Sequence, residues 1–169
     1  MSESVKEHQA DAKRSIACAV VTVSDTRTAE TDTGGQTVID KLLAAGHVVI
    51  TREIIPDEPE KMRSLLERLR DQEDVAAVLM TGGTGLTSRD QTFETVSALL
   101  TKPLPGYGEL FRMLSYEEIG PAAMLSRATG GLMNRTVLLT MPGSRAAVQL
   151  AMDKVILPEL GHLVREAQR

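Results

Sequence analysis

Glycines, aspartates and small hydroxyl residues gather in four short segments of this chain, and only there do residue types and spacing offer chemistry. Thr81, Gly82, Gly83, Thr84 and Gly85 run TGGTG. Three glycines in four positions let backbone N–H groups approach an anion, supported by the N-terminus of a following helix. The same spacing equally describes a tight strand-to-helix turn that needs positive φ. It is not a P-loop, because no Gly-Lys-Ser/Thr closes it, and the third glycine of the dinucleotide fingerprint is missing. Asp57 in IIPDE and Asp90 in SRD are two carboxylates of the kind that hold Mg2+ together with waters and substrate phosphates. Each also stands where a helix cap is wanted, Asp57 in a capping box with Glu60 and Asp90 as an N-cap. In SDTR, Asp25 can accept from the N–H edge of a heterocycle and Arg27 can pair with phosphate, or Ser24 and Asp25 simply open a turn. Pro142, Gly143 and Ser144 offer a second backbone nest, or a cap for the helix after them. No Ser/His/Asp or Cys/His nucleophile set is visible. His8, His47 and His162 read as structural, and Cys18 as a small buried hydrophobe.

These segments punctuate an alternation of strands and helices. Residues 16–23 (IACAVVTV) and 75–80 (VAAVLM) are short apolar runs, the mark of strands buried on both faces, and residues 47–55 (HVVITREII) read as a strand between them. Between 16–23 and 47–55, Asp32 caps a helix with Val38, Ile39, Leu42 and Leu43 on one face, ended by Gly46. Met62, Leu65, Leu66 and Leu69 form the stripe of the next helix. Residues 92–100, 107–119 and 122–126 read as helical. Residues 136–141 (TVLLTM) form a further strand, hairpinned with 128–132, and the chain from Ser144 is helical with a break near Pro158. The expected fold is therefore α/β: a three-layer, mostly parallel, doubly wound sheet with helices on both faces and an antiparallel edge hairpin. In such sheets ligands bind beyond the carboxyl ends of the strands, where SDTR, PDEPE, TGGTGLTSRD and PGSR all fall.

Composition narrows the classes. A chain of 169 residues suits one domain, expected over residues 15–169 behind a polar, disordered arm at 1–14. One cysteine allows no internal disulfide, and three scattered histidines exclude a Cys/His zinc cluster. A net charge of -4 leaves no global basic field for nucleic acid. No stretch approaches the roughly 20 apolar residues of a membrane span, and no signal peptide is evident, so the expected compartment is the cytoplasm. The four aromatic residues, Phe93, Tyr107, Phe111 and Tyr116, fall in one window. Tyr107 and Phe111 share a helix face.

As a set the segments are more specific than any one of them. VTVSDTR, IIPDE, TGGTGLTSRDQTFE, PLPGYGELFRMLSYEEIG, LSRATGG and LLTMPGS, in that order, resemble the molybdopterin-binding family of molybdenum-cofactor biosynthesis, the MoaB/MogA family. The resemblance covers about residues 16–160, and FRMLSYEEIG with no longer C-terminal extension favours its MoaB side. It implies transfer of AMP from ATP to the terminal phosphate of molybdopterin, with Mg2+. On that resemblance Asp57 and Asp90 are the catalytic and metal-holding carboxylates. Thr81 through Gly85 and Pro142 through Ser144 line the cleft, with Ser24, Asp25 and Arg89 on the substrate side. Ser115 of RMLS matches a serine linked to substrate handling. Ser88 stands where adenylylating relatives often carry proline, whereas the arginine of the Arg-Asp pair, Arg89, is retained.

The resemblance also implies a homotrimer or a dimer of trimers, and a metal-insertion protein as a further partner. A non-catalytic molybdopterin-binding or carrier module is the competing reading, separable by ATP turnover. A nucleotide or flavin binder on the same fold is a third. The lack of rings in the loops after the first three strands argues against a stacked flavin.

Overall fold

A computed structural model describes residues 15–169, and its order of elements follows the apolar runs and stripes of the sequence. The arm expected at 1–14 lies outside the described residues. Six strands form one sheet in the order β2-β1-β3-β6-β5-β4. Strands β1 (Ala17–Val23), β2 (Val48–Ile55), β3 (Ala77–Thr81) and β6 (Thr136–Met141) run parallel. Strands β5 (Gly130–Met133) and β4 (Lys102–Pro103) add an antiparallel margin. The expected hairpin is thus β5–β6, turned at Asn134 with φ of 57°. Strand β4 sits in KPLPG, which reads as a loop. Two residues, one a proline, form a strand only because β5 supplies the partner, and the sheet edge is where proline is tolerated.

The central strands are apolar on both faces because alternate side chains enter two different cores. Cys18, Val20, Ala77 and Leu79 meet Val38 and Leu42 of α1 (Thr33–Ala44), Tyr107 and Phe111 of α4 (Pro105–Ile119), Val148 of α5 (Arg145–Ala151) and Leu160 of α6 (Leu157–Ala167). Ala19, Val21, Val78 and Met80 meet the 62/65/66/69 stripe of α2 (Pro59–Arg70) and Val96 of α3 (Thr92–Leu99). The layers are therefore those expected, with helices on both faces.

Several local expectations hold and several shift. Asp32 caps α1 by accepting from the Gly35 N–H at 2.9 Å, and its other oxygen takes Thr22 Oγ1 at 2.7 Å and Arg52 at 3.1 Å. Gly46 follows α1 with φ of 85°. Leu43, expected on the buried face, is exposed, because the core stripe runs through Val38 and Leu42. Residues 122–126 form no α-helix of their own. A 3-10 turn, Gly120–Leu125, continues α4. The break in the C-terminal helix lies before Pro158, in a π turn at Met152–Ile156. The proline itself sits in the first turn of α6, where its missing N–H costs least. His47 Nδ1 accepts the Ile16 N–H, and His162 lies beside Glu159.

Tyr107 and Phe111 are core residues, and the Tyr107 hydroxyl donates to Thr140 O at 2.9 Å. Phe93 and Tyr116 reach the surface. Cys18 is fully buried, and burial pushes its thiol up to about 12. The native protein is therefore expected not to react with an aromatic disulfide reagent at pH 8, and to release one equivalent per chain once denatured. Reaction of the native thiol at the rate of a free cysteine would contradict that burial.

Candidate functional site

Four parallel strands deliver their carboxyl ends together. Thr22 pairs with Thr81, Thr81 with Met141 and Val23 with Ile55, so the loops leaving β1, β2, β3 and β6 rise side by side. Backbone contact joins two of them. Gly82 N–H donates to Met141 O at 3.0 Å, and Thr81 Oγ1 donates to Pro142 O at 3.2 Å. A Cβ on Gly143 would lie 3.4 Å from Gly82 Cα. Gly82 and Gly83 both have positive φ, 98° and 62°, whereas Gly85 does not. TGGTG is thus a strained turn as well as a candidate anion loop. The Gly82 N–H goes to Met141 O and the Gly85 N–H to the Asp90 carboxylate, which leaves those of Gly83 and Thr84 as its donors without a partner.

A cavity of about 420 Å³ opens beside this turn. One wall is Gly82, Gly83, Thr84 and Gly85 with Asp90, and another is Pro142, Gly143 and Ser144. The third, from α4 and the 3-10 turn, carries Phe111, Ser115, Ile119 and Leu125. Ser115 is buried and Ser126 stands nearby on the same lining. No lysine or arginine lines the cavity. Ser144 has a second duty, since its hydroxyl caps α5 by accepting from the Ala147 N–H at 3.2 Å.

The remaining candidates stand behind the glycine turn. Asp57 does not cap α2, whose N-cap is Glu58 with no side-chain capping bond, and so makes no capping box with Glu60. Its Oδ1 accepts instead from the Gln91 N–H at 3.1 Å, across two loops. Its Oδ2 lies 2.5 Å from the point a Gly83 Cβ would take, beside Thr92 Oγ1 at 2.2 Å from the same point. That hydroxyl is buried with no partner. Burial raises the Asp57 carboxyl above the usual range, and repulsion from Asp90 and Asp25 adds to this, while the Gln91 N–H and Arg89 oppose it. Asp90 does not cap α3 either. Its Oδ2 accepts from Thr87 Oγ1 at 2.6 Å and Thr87 N–H at 2.8 Å, chiefly lowering its carboxyl. Asp25 Oδ1 accepts the Asp57 N–H at 3.2 Å, and Oδ2 pairs with Arg89 at 2.7 Å. The Arg89 bond holds the Asp25 carboxyl below its ordinary value. Ser24 Oγ accepts from the Thr26 and Arg27 N–H groups, and Arg27 donates to Thr31 O. SDTR is thus a turn.

Asp90, Ser115, the glycine loop and Pro142–Gly143–Ser144 therefore share one cavity. Ser24, Asp25, Asp57, Thr81 and Arg89 do not line it. Thr92 and Arg127 escaped the sequence reading. Thr92 had no signal beyond its place after Asp90, and Arg127 was visible only as the basic residue of LSRATGG.

Among the described residues no group of three or more His, Cys, Asp or Glu could hold a metal ion by itself. Asp57 nevertheless presents a carboxylate oxygen without a hydrogen bond, and its negative charge is disfavoured by burial and by two neighbouring carboxylates. A single free carboxylate oxygen of this kind could serve as one ligand of a cation such as Mg2+, which takes the rest from waters and phosphates.

Residues 19–162 match the family model described as "Probable molybdopterin binding domain". The chain is 53% identical over 167 residues to "Molybdenum cofactor biosynthesis protein B" of Bacillus anthracis, covering 98% of this chain and 99% of that protein. A crystal structure of a molybdenum cofactor biosynthesis protein B superposes with a TM-score of 0.90 at 53% identity, over 92% of this chain and 98% of that one. A protein described as the tungsten cofactor synthesizing protein MoaB of Pyrococcus furiosus superposes at 0.80 with 33% identity, over 92% and 99%.

Proposed function

Since this chain belongs to the molybdopterin-binding domain family of molybdenum-cofactor biosynthesis, we propose that it transfers AMP from ATP to the terminal phosphate of molybdopterin. The observation that carries this reading is the junction of the glycine turn with Asp57 and Asp90. Asp90 lines the small-residue cavity, and behind the same glycine turn Asp57 holds a carboxylate whose charge burial disfavours. A phosphate oxygen of molybdopterin attacks the α-phosphorus of ATP, the bond to the β-phosphate breaks, and pyrophosphate leaves. The attacking group is already an anion, so no base is needed, which fits loops without histidine. What remains is positioning and charge.

Each residue has a part in that task. The Gly83 and Thr84 N–H groups and the hydroxyls of Ser115 and Ser144 offer donors to anionic and polar edges of the ligand. Phe111, Ile119 and Leu125 exclude water from one side. Asp57 and Asp90 are the residues that would hold Mg2+, which when bound neutralises the triphosphate. Arg89, now paired with Asp25 at the surface, is free to exchange that exposed partner for a phosphate.

The same pairing, with a cavity lined by no cationic side chain, favours one second reading: a carrier that holds molybdopterin and leaves ATP alone. Release of pyrophosphate from ATP separates the two. It is expected only when molybdopterin and Mg2+ are both present. Molybdopterin binding without pyrophosphate release would establish the carrier and exclude the transferase.

The protein would act in the cytoplasm, and no helix among the described residues is long and apolar enough to cross a membrane. Leu110, Met113 and Tyr116 are exposed on the side of α4 away from the cavity, supporting a homo-oligomer, a trimer or a dimer of trimers. Sedimentation reads that directly. A metal-insertion protein would receive the adenylylated product.

A further inference from the structure

The stretch Leu86 to Arg89 is exposed and has no core of its own, yet it joins two cavity-lining residues, Gly85 and Asp90. Its ties identify what shapes it. The Arg89–Asp25 pair is exposed on both sides, where solvent screening leaves such a pair little hold on a loop. The Thr87–Asp90 bonds close the turn internally without fixing it to the body of the protein.

Beside the Asp57–Gln91 N–H bond at the end of the loop, Arg127 supplies that attachment. Its Nε donates to Gly85 O at 2.8 Å and its Nη2 to Asp90 O at 2.8 Å, so one guanidinium grips both ends of the turn. Its Nη1 pairs with Glu94, and its Cζ stands 5.5 Å from the Phe93 ring centre. Its backbone N–H donates to Thr84 O at 3.3 Å. All five partners fall between Thr84 and Glu94, and only a fifth of the side chain is exposed. A planar fork with several fixed donors is needed to reach two carbonyls and a carboxylate at once. A lysine, as a point charge, reaches only one of them well.

We infer that Arg127 is a positioning residue: it sets the shape of the 84–91 loop and through it the place of Asp90 at the cavity. What that place serves rests on the proposed adenylyl transfer, whereas the clamp itself does not.

The test compares Arg127→Lys, Arg127→Met and Arg127→Ala with Glu94→Gln, which weakens the ion pair alone. Amide hydrogen exchange over residues 84–91 is expected to accelerate at least roughly tenfold in all three Arg127 variants, with β3 unchanged. Pyrophosphate release from ATP with Mg2+ and molybdopterin is expected to lose about 10- to 100-fold in kcat, with KM for ATP nearly constant. Glu94→Gln should keep most of both, and added guanidinium ion should restore part of kcat to Arg127→Ala. Wild-type exchange in the loop of Arg127→Met overturns the clamp, as does a rise in KM with kcat unchanged. Should the wild type itself release no pyrophosphate, the transferase reading falls and loop exchange alone decides for or against the clamp.

Discussion

Asp57→Asn is expected to give a protein at least as stable as the wild type at pH 7 that has lost the proposed adenylyl transfer by about 100-fold or more. The two halves have one cause. Asp57 is 8% exposed, and burial with nearby Asp90 and Asp25 raises its carboxyl above the ordinary value. For a carboxyl raised in the folded state, protonation favours folding. The stability this group permits is complete below its unfolded pKa and is lost as pH rises through the folded one. At pH 7 the ionised side chain therefore burdens the fold. Asparagine removes the charge, keeps an acceptor for the Gln91 N–H, and can set an amide donor beside the unpartnered Thr92 hydroxyl. The gain in Tm over wild type should shrink toward pH 4, as wild-type Asp57 takes up its proton. What asparagine cannot do is hold a cation against triphosphate. A fall in Tm of more than about 4 °C, a loss of about 1 kcal/mol or more, would show the buried charge to be structural. Activity within tenfold of wild type would remove Asp57 from the chemistry.

Gly82→Ala should be the most damaging single methyl in the site. At φ of 98° an L side chain is strained by about 1–2 kcal/mol, and the added carbon would sit 2.2 Å from Val23 O. That oxygen is backbone at the end of β1 and cannot swing away, so overpacking adds about 1–3 kcal/mol. A loss of about 2–5 kcal/mol lowers Tm by roughly 5–20 °C in a chain of this length. Gly106→Ala is the control. No atom lies within 4 Å of its would-be Cβ and its φ is not positive, so the same methyl in the first turn of α4 should be neutral or slightly stabilising. Equal melting of the two variants would refute the close approach of β1 to the glycine turn.

The sequence already carries the layers, because burial on two faces leaves an unbroken apolar run that no half-buried strand shows: IACAVVTV, VAAVLM and TVLLTM became β1, β3 and β6. The cleft was legible for the related reason that parallel strands must end together. The error over Asp57 and Asp90 was of a different kind. An aspartate before a helix has the same local spacing whether it caps that helix or reaches across to another loop, and only the pairing of β1 with β2 and β3 brings Gln91 under Asp57. Arg127 and Thr92 stayed hidden because their meaning lies in neighbours more than thirty residues away (Gly85, Asp90 and Glu94 for one, Asp57 for the other). Strand β4 stayed hidden because two residues have no period.

The buried thiol of Cys18 bears on the proposed ligand as well as on the core. Molybdopterin carries a dithiolene, a sulfur pair open to oxidation and to exchange with other sulfurs. Thiol–disulfide exchange needs a thiolate that can reach its target. This chain has one cysteine, it is shut inside the sheet, and its thiol is held neutral near physiological pH. A protein so built offers the dithiolene no partner for a mixed disulfide. Sparing use of sulfur nucleophiles is thus a form of chemical protection: with molybdopterin bound as proposed, the site would hold a redox-sensitive cargo without becoming a reactant.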